Sequence, residues 1–140
     1  MDARPSRAPL QVVAGLIQDE LGRVLVGQRR PGTHMAGFWE FPGGKRRPNE
    51  SPREALDREL REELGIQVLR ATFLSALTHR YPERQVRLEL WRVERYEGDP
   101  VARERQPLSW SRPDELLDLP ILPADEPFVA ALLGDSTPPS

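Results

Sequence analysis

The 140-residue chain contains no cysteine, which excludes a disulfide framework, a cysteine-based zinc site and a cysteine nucleophile. It has only two histidines, His34 and His79, so a histidine-rich metal site is excluded as well. Long apolar runs are also missing, and stretches such as VVAGLI are far shorter than the roughly 20 residues of a membrane-spanning helix. The first residues, MDARPSRAPL, lack the apolar segment of a secretory signal. We therefore expect a cytoplasmic protein without a membrane partner.

A strong excess of charge of one sign is lacking too. The formal net charge is −2, which gives no sign of a polyanion-binding surface, so we expect no stable nucleic-acid complex. Hydrophobic residues make up 38% of the chain and charged residues 30%, a globular balance for one domain. The ends are rich in proline or serine, and we predict flexible tails at 1–9 and 135–140 around one domain at 10–134.

Alternating and continuous apolar patterns predict strands and helices along this domain. Two strands joined as a hairpin by QDELG are predicted at 10–17 and 23–29, and later strands at 38–44, 66–81, 85–98 and 106–110. A short helix capped by Ser111 and a closing helix over 124–133 follow. Because strands and helices interleave, the pattern predicts an α+β fold in which helices cover a mixed sheet.

The strongest local pattern is NESPREALDRELREELGI. Ser51 suits the N-cap, Pro52 suits the first helical position, and Glu54 completes a capping box. Gly65 suits the residue just past the helix end. Leucines recur every fourth residue as a buried stripe, at Leu56, Leu60 and Leu64. These features predict a helix of about 13 residues with both ends specified.

Three glutamates, Glu59, Glu62 and Glu63, fall on one side of this helix at i, i+3 and i+4. Like charges at this spacing cost about 0.2–0.5 kcal/mol per pair. One interpretation is a solvated face with i,i+4 ion pairs, namely Glu54–Arg58, Asp57–Arg61 and Arg58–Glu62. However, Glu59 and Glu63 have no basic residue at i±3 or i±4, so we expect them to stay unpaired within the helix, and they lie beside the leucine stripe. A divalent cation would turn their repulsion into coordination, and oxygen ligands suit Mg²⁺ or Mn²⁺.

The segment GKRRPNESPREALDRELREELGI resembles the Nudix box at every defined position. These positions are Gly44, Glu50, Arg58, Glu59, Leu60, Glu62, Glu63, Gly65 and Ile66. Outside the box, QRRPGTHMAGFWEFPGGK, ERQPLSW and LPADEPFVAAL resemble the MutT-like branch. The resemblance implies the Nudix fold, an α/β/α sandwich with a mixed sheet. It also implies hydrolysis of a free nucleoside triphosphate to the monophosphate and pyrophosphate by a monomer.

The resemblance further implies a metal site. Its Mg²⁺ ligands, replaceable by Mn²⁺, would be Glu59, Glu62, Glu63 and the main-chain carbonyl of Gly43. Glu59 is the preferred general base. Glu104 matches a further carboxylate that acts as ligand or base in some members, although a solvated loop charge is an equal alternative. A structural role around this site falls to Gly44, Glu50 and Arg58.

On the substrate side, the resemblance implies contacts from Arg29, His34, Glu40, Phe41, Pro42, Gly43, Tyr81 and Asp125. Asp125 departs from the MutT pattern, which has asparagine there. An amide offers one donor and one acceptor to 8-oxoguanine, whereas a carboxylate only accepts unless it is protonated. We therefore expect 8-oxo-dGTP as first substrate, with (d)CTP or a modified dCTP as the alternative. RNA 5′-pyrophosphate hydrolysis and a non-catalytic Nudix binding module are weaker alternatives.

Overall fold

The computed structural model of the protein describes residues 8–135. Of the two expected tails, residues 1–7 and 136–140 lie outside the described residues. The elements in chain order are β1 (Leu10–Leu16), β2 (Val24–Gln28), β3 (Trp39–Glu40), β4 (Gly43–Lys45), α1 (Pro52–Leu64), β5 (Gln67–Arg80), β6 (Gln85–Glu97), β7 (Leu108–Ser111), two 3₁₀ helices (Pro113–Asp118 and Pro123–Asp125) and α2 (Glu126–Asp135).

The strands divide into a four-stranded sheet of order β4-β1-β6-β5 and a three-stranded sheet of order β3-β2-β7. In the larger sheet β1 runs parallel to β6, whereas β4 and β5 are antiparallel to their neighbours, so the sheet is mixed. The antiparallel pair β5–β6 closes over the predicted turn, where Tyr81 and Arg84 exchange backbone hydrogen bonds of 2.9 and 3.2 Å. The predicted α+β fold with a mixed sheet is confirmed.

The predicted hairpin of β1 and β2 forms only at its tip. An isolated bridge joins Gln18 to Val24, and the Leu25 N–H donates to the Ile17 carbonyl at 3.0 Å. Beyond this point the strands separate into different sheets. The reason is that β1 uses both of its hydrogen-bonding edges for β4 and β6, so no edge remains for β2.

Helix α1 follows its sequence signals closely. The N–H of Glu54 donates to Ser51 Oγ at 3.1 Å, and the N–H of Ser51 donates to Glu54 Oε1 at 2.8 Å. Gly65 ends the helix with a left-handed φ of 72°, which glycine adopts without steric cost. The stripe residues Leu56, Leu60 and Leu64 are each fully buried. The predicted capping box, bounds and buried face are therefore confirmed.

The larger sheet lies between two apolar layers. Val13 of β1 packs in a cluster with the leucines of α1. Its neighbour Ala14 points the other way, into a cluster with Phe128 and Val129 of α2. Because adjacent strand residues face opposite sides, one strand supports both layers. This arrangement gives the sandwich that the resemblance implied.

Two smaller predictions meet different outcomes. The short helix begins at Pro113 as a 3₁₀ helix after Arg112, so the prediction of Ser111 as its cap is wrong. Ser111 is instead buried at the end of β7, opposite Val24, because strand pairing extends to that residue. The closing helix packs as expected through Phe128 and Val129.

Within residues 8–135, no helix is both long and apolar enough to cross a membrane.

Candidate catalytic site

The carboxylates of α1 face the glycine pair that begins β4. A Cβ atom added at Gly44 would lie 2.5 and 2.6 Å from the two carboxyl oxygens of Glu59, so that carboxylate occupies the space a side chain would need. The N–H of Gly43 donates to Glu63 Oε1 at 3.4 Å. The strand β4 and the helix α1 therefore meet through glycine backbone on one side and glutamate carboxylates on the other.

Arg58 holds this helix against the loop that precedes it. Its guanidinium is 10% exposed and donates to the Lys45 carbonyl at 2.9 Å. It forms a fork with Glu50, with Nε to Oε2 at 2.5 Å and Nη2 to Oε1 at 2.9 Å. Hydrogen bonds from Arg58 and from the Arg47 N–H lower the pKa of the Glu50 carboxyl to about 2. This geometry fits the supporting role expected for Glu50 and Arg58.

The expectation that Glu59 has no partner within the helix is wrong. Arg58 Nη1 lies 3.1 Å from Glu59 Oε2 and 3.3 Å from Glu62 Oε1. Neighbouring helix positions do not face each other, but the long arginine side chain lies flat and reaches across them. The expected Arg58–Glu62 pair forms, whereas the other two expected pairs do not form among the described residues, because Arg58 turns to Glu50 and Asp57 pairs with Arg53.

Among the carboxyl groups of this cluster, that of Glu63 has the most strongly raised pKa. Burial raises its pKa most, followed by a hydrogen bond with Glu59 and by the charges of Glu59, Glu104 and Glu40. Such crowding of carboxyl oxygens suits a hard divalent cation, which would remove the repulsion. Among residues 8–135, however, no three acidic or histidine side chains already converge as a finished metal site. Glu62 is 47% exposed and turned toward Arg58, and Glu104 lies on an exposed loop.

A cavity of about 550 Å³ opens beside the carboxylate cluster. Its walls are largely apolar, from Leu10, Val12, Val86, Leu88 and Leu122, and Asp125 contributes a polar group. Asp125 is 4% exposed, and its Oδ2 accepts a 2.9 Å hydrogen bond from the Phe41 N–H. Burial raises the pKa of Asp125 to about 8, with a further contribution from the charge of Glu40. A buried, protonated acid in a largely apolar cavity is suited to fixing the orientation of a flat polar ring.

Aromatic rings form one side of this cavity. Tyr81 contacts His34 edge-on at 5.4 Å between ring centroids and His79 at 4.5 Å. The Tyr81 hydroxyl accepts a hydrogen bond of 3.1 Å from the Ala124 N–H, next to Asp125. The two predicted pocket residues His34 and Tyr81 thus lie together, and the His79 ring packs against Tyr81.

Arg29 and Glu40 stand between the cavity and the carboxylate cluster. Arg29 Nη1 lies 3.1 Å from Glu40 Oε2, and Arg29 Nε donates to the His34 carbonyl at 2.5 Å. Both residues also line a second space of about 180 Å³, together with Pro42, Gly43, Glu63 and Glu104. A ligand with a ring in the larger cavity and anionic groups in the smaller space would therefore pass the Arg29–Glu40 pair.

Arg84 and Gln106 are among the cavity residues that the sequence reasoning missed. Arg84 lines the larger cavity at the β5–β6 turn, and its buried Nε atom has no hydrogen-bond partner within residues 8–135. Gln106 lines the smaller space between Glu63 and Glu104. A polar side chain at the turn between two predicted strands was a signal for Arg84. For Gln106 no such signal existed, because its role depends on a tertiary contact with α1.

The family model described as NUDIX domain matches residues 12–131. A protein named CTP pyrophosphohydrolase from Escherichia coli (strain K12) is 40% identical over 125 residues, which cover 89% of this chain and 92% of that protein. An 8-oxo-dGTP diphosphatase from the same strain is 38% identical over 123 residues, covering 88% and 95%. The crystal structure of the MutT NUDIX hydrolase from Burkholderia pseudomallei aligns with a TM-score of 0.80 at 28% identity and covers 89% of this chain and 98% of that one.

Proposed function

The chain belongs to the NUDIX domain family, and from that premise we propose that it is a metal-dependent nucleoside triphosphate pyrophosphohydrolase. The products are a nucleoside monophosphate and pyrophosphate. One observation carries the proposal: the crowded carboxylates of α1 adjoin a largely apolar cavity that contains the buried acid Asp125. This arrangement gives a triphosphate and a nucleobase separate places on the two sides of the Arg29–Glu40 pair.

The resident cofactor in this proposal is Mg²⁺, with Mn²⁺ able to replace it. Its ligands would be the carboxylates of Glu59, Glu62, Glu63 and Glu104 and the carbonyl of Gly43. A bound divalent cation neutralises polyphosphate charge and makes water a better nucleophile at neutral pH. The crowding around Glu63 supports the Glu59, Glu63 and Glu104 members of this donor set, because Glu59 and Glu104 both oppose ionisation of Glu63.

The side chains of this site then have distinct roles. Glu59, held between Gly44 and Arg58, is the general base that takes the proton of the attacking water at a carboxyl oxygen. Arg58 and Glu50 keep α1 in register with the glycine pair. Arg29 contacts a phosphate or the sugar, since its guanidinium lies at the passage between the two cavities.

For the base, we propose 8-oxoguanine as the first choice, and hence a role in cleaning the free nucleotide pool as a monomer in the cytoplasm. A neutral Asp125 offers one O–H donor and one acceptor, the pair that the O6 and N7–H of 8-oxoguanine require. A second candidate, (d)CTP or a modified dCTP, is favoured by the relative named for CTP. An ionised Asp125 would accept from the N4 amine of cytosine.

A pyrophosphate-release screen tests the proposal. Purified protein is incubated with Mg²⁺ or Mn²⁺ and each normal or oxidised nucleoside triphosphate, and triphosphorylated RNA is included as a separate substrate. We expect release of pyrophosphate from 8-oxo-dGTP above all, with dCTP second. Activity on RNA alone would favour the RNA alternative. Inactivity on every substrate with either metal would favour a binding module and contradict the proposed function.

A further inference from the structure

The loop between β6 and β7 docks on the C-terminal end of α1. The N–H of Val101 donates to the Leu64 carbonyl at 3.0 Å, and the N–H of Arg103 donates to the Glu63 carbonyl at 3.0 Å. The Arg103 side chain also reaches the Arg61 carbonyl at 3.4 Å. The carbonyls of Glu63 and Leu64 are among the last of the helix, which have no partner within it. The Arg61 carbonyl also accepts from the Gly65 N–H at 3.0 Å. The loop therefore completes the end of the helix that carries the acidic cluster.

Gln106 adds a different kind of contact in this loop. Its Nε2 donates to the Glu63 carbonyl at 3.2 Å, and its Oε1 accepts from the Glu104 N–H at 3.0 Å. One amide side chain thus joins the backbones of two acidic residues that are 41 positions apart in sequence numbering, from 63 to 104. Both polar ends of the amide are used, so the side chain has one well-defined orientation.

Capping of α1 does not require this amide. The Glu63 carbonyl already accepts a hydrogen bond from the Arg103 N–H, so the loop backbone satisfies it without Gln106. The Glu104 N–H, by contrast, donates to Oε1 of the Gln106 side chain. The next residue, Arg105, has a left-handed φ of 62°, which an arginine adopts only when its surroundings hold it. The hydrogen bond that Gln106 accepts from the Glu104 N–H therefore acts on the turn that presents Glu104.

We propose that Gln106 is a positioning residue that holds the Glu104 carboxylate beside Glu63 during nucleotide hydrolysis. This inference rests on the proposed function and gives Glu104 a defined place in it. The Glu104 carboxyl is already near enough to Glu63 for its charge to oppose ionisation of Glu63, and both line the smaller cavity. Without the amide, Glu104 remains on an exposed loop with no side-chain bond to its backbone, and its carboxylate spends less time at the cluster.

The test uses Gln106→Met, which keeps the length of the side chain and removes both hydrogen bonds. We expect kcat to fall by about 10- to 100-fold, while KM for the nucleotide changes little, because positioning residues around such sites act on turnover. The matched control is Gln67→Met, at an exposed glutamine that begins β5, and it should keep wild-type turnover. Gln106→Asn, whose amide is too short to span both partners, should give a smaller loss and replaces Gln106→Met if that variant fails to fold.

A double variant separates action through Glu104 from a general effect. If Gln106 acts through Glu104, then Gln106→Met combined with Glu104→Gln is no slower than Glu104→Gln alone. The proposal would be overturned if the losses in kcat of the two single variants multiplied in the double variant. It would also be overturned if Gln106→Met were as fast as the wild type.

Amide hydrogen exchange gives a readout that does not depend on activity. In Gln106→Met the Glu104 amide should exchange about fivefold faster or more, whereas the amides of Val101 and Arg103, which dock on α1 independently, should not change. An unchanged Glu104 amide would overturn the proposal even in an active enzyme. If the wild type hydrolyses no nucleotide, the proposed function fails, and the exchange rate still decides whether Gln106 holds Glu104.

Discussion

The backbone N–H of Phe41 donates a 2.9 Å hydrogen bond to Oδ2 of Asp125, which lies 84 positions further along the chain. This bond fixes the carboxyl group at the larger cavity and uses one lone pair of Oδ2, which leaves the second lone pair of Oδ2 and the other oxygen, Oδ1, for a ligand. Burial raises the pKa of Asp125 to about 8, so the protonated form predominates below that pH. A carboxylic acid and an amide offer the same pair of groups, one donor and one acceptor. The departure from asparagine therefore does not by itself exclude 8-oxoguanine.

The first prediction concerns base preference and pH. Above about pH 8 the Asp125 carboxyl loses its donor and should favour bases that present an amine, such as cytosine. The ratio of kcat/KM for 8-oxo-dGTP to that for dCTP should therefore fall between about pH 6.5 and pH 9. Taking a ratio cancels pH effects on the shared catalytic residues.

In Asp125→Asn the donor and acceptor are fixed, so the same ratio should rise at high pH and become independent of pH. Ratios identical to those of the wild type at every pH would remove Asp125 from base selection. The measurement needs only initial rates of pyrophosphate release for the two nucleotides.

The second prediction compares the two glycines of β4. Gly44→Ala puts a methyl group against the Glu59 carboxyl, 2.5 Å from Oε2, and a side chain can turn aside. We expect a folded protein whose turnover drops by about 10-fold or more, because the displaced group is the proposed base. In Gly43→Ala the added Cβ atom would instead clash with the backbone of β1, 2.7 Å from the Ala14 Cα atom. Because backbone cannot turn aside, this variant should separate β4 from β1. Its melting temperature should therefore fall clearly.

Gly134→Ala is the control for these glycine variants. A Cβ atom at Gly134 would meet no atom within 4 Å, so stability and turnover should stay at or slightly above those of the wild type. If Gly44→Ala kept full turnover, Glu59 would not need the position it occupies here.

The elements that could be predicted from sequence are those specified by neighbouring residues. Helix α1 is set by Ser51 at one end and Gly65 at the other, and both caps form as expected. The hairpin of β1 and β2 was expected from an equally local turn signal, but β1 pairs with β6 over seven residue pairs, from Leu10–Val86 to Leu16–Arg92. Strand pairing of this kind is decided by distant residues, and local patterns do not contain it.

The same distinction applies to the site. The three glutamates of α1 were found because one helix carries them all. Apart from Arg58 of the same helix, the partners that orient them come from other segments: Gly44 against Glu59, and Gln106 against Glu63. Arg58 forms one of its expected pairs along the helix, with Glu62, and its guanidinium also forms the fork with Glu50 in the preceding loop. Contacts between separate segments therefore account for most of what the sequence reasoning missed.

The third prediction tests the proposed base. Glu59→Gln keeps the shape of the side chain but removes the group that accepts a proton, so kcat should fall by about 10²- to 10⁴-fold. The fold should persist, because the amide still fits against Gly44. Asp57→Asn is the matched control on the same helix, since Asp57 only pairs with Arg53 at the surface. Glu59→Gln with near-normal turnover would move the role of base to another carboxylate.

The fourth prediction concerns acid stability. The pKa of Glu50 in the folded protein is about 2, below its ordinary value of 4.5, because Arg58 and the Arg47 N–H bind the ionised form. The pair therefore contributes stability above about pH 4.5, and this contribution is lost as the pH falls from 4.5 toward 2. Glu50→Gln should melt below the wild type at neutral pH, and the difference should close on acidification.

Arg58→Lys should show the same pattern, because a lysine keeps the charge but cannot form the fork with Glu50. The measurement is a set of thermal melts between about pH 2 and pH 7. A difference in melting temperature that stays constant over this range would mean that ionisation of Glu50 does not contribute to folding.

The fifth prediction concerns metal binding without turnover. Since Glu63 is buried against Glu59 and near Glu104, replacing it with glutamine removes an acid that is costly to ionise in the metal-free protein. With EDTA present, Glu63→Gln should therefore melt above the wild type. Saturating Mg²⁺, at about 100 times its dissociation constant, should raise the melting temperature of the wild type by about 5–10 °C and that of the variant far less.

The melting temperature of the variant should therefore lose its lead over that of the wild type, or fall below it, when Mg²⁺ is added. This crossover distinguishes a ligand from a residue that only packs, because a packing residue would change both melts by the same amount. An equal response of the two proteins to Mg²⁺ would place the cation elsewhere. A wild type that does not respond at all would mean that the crowding around Glu63 has another cause than a cation site.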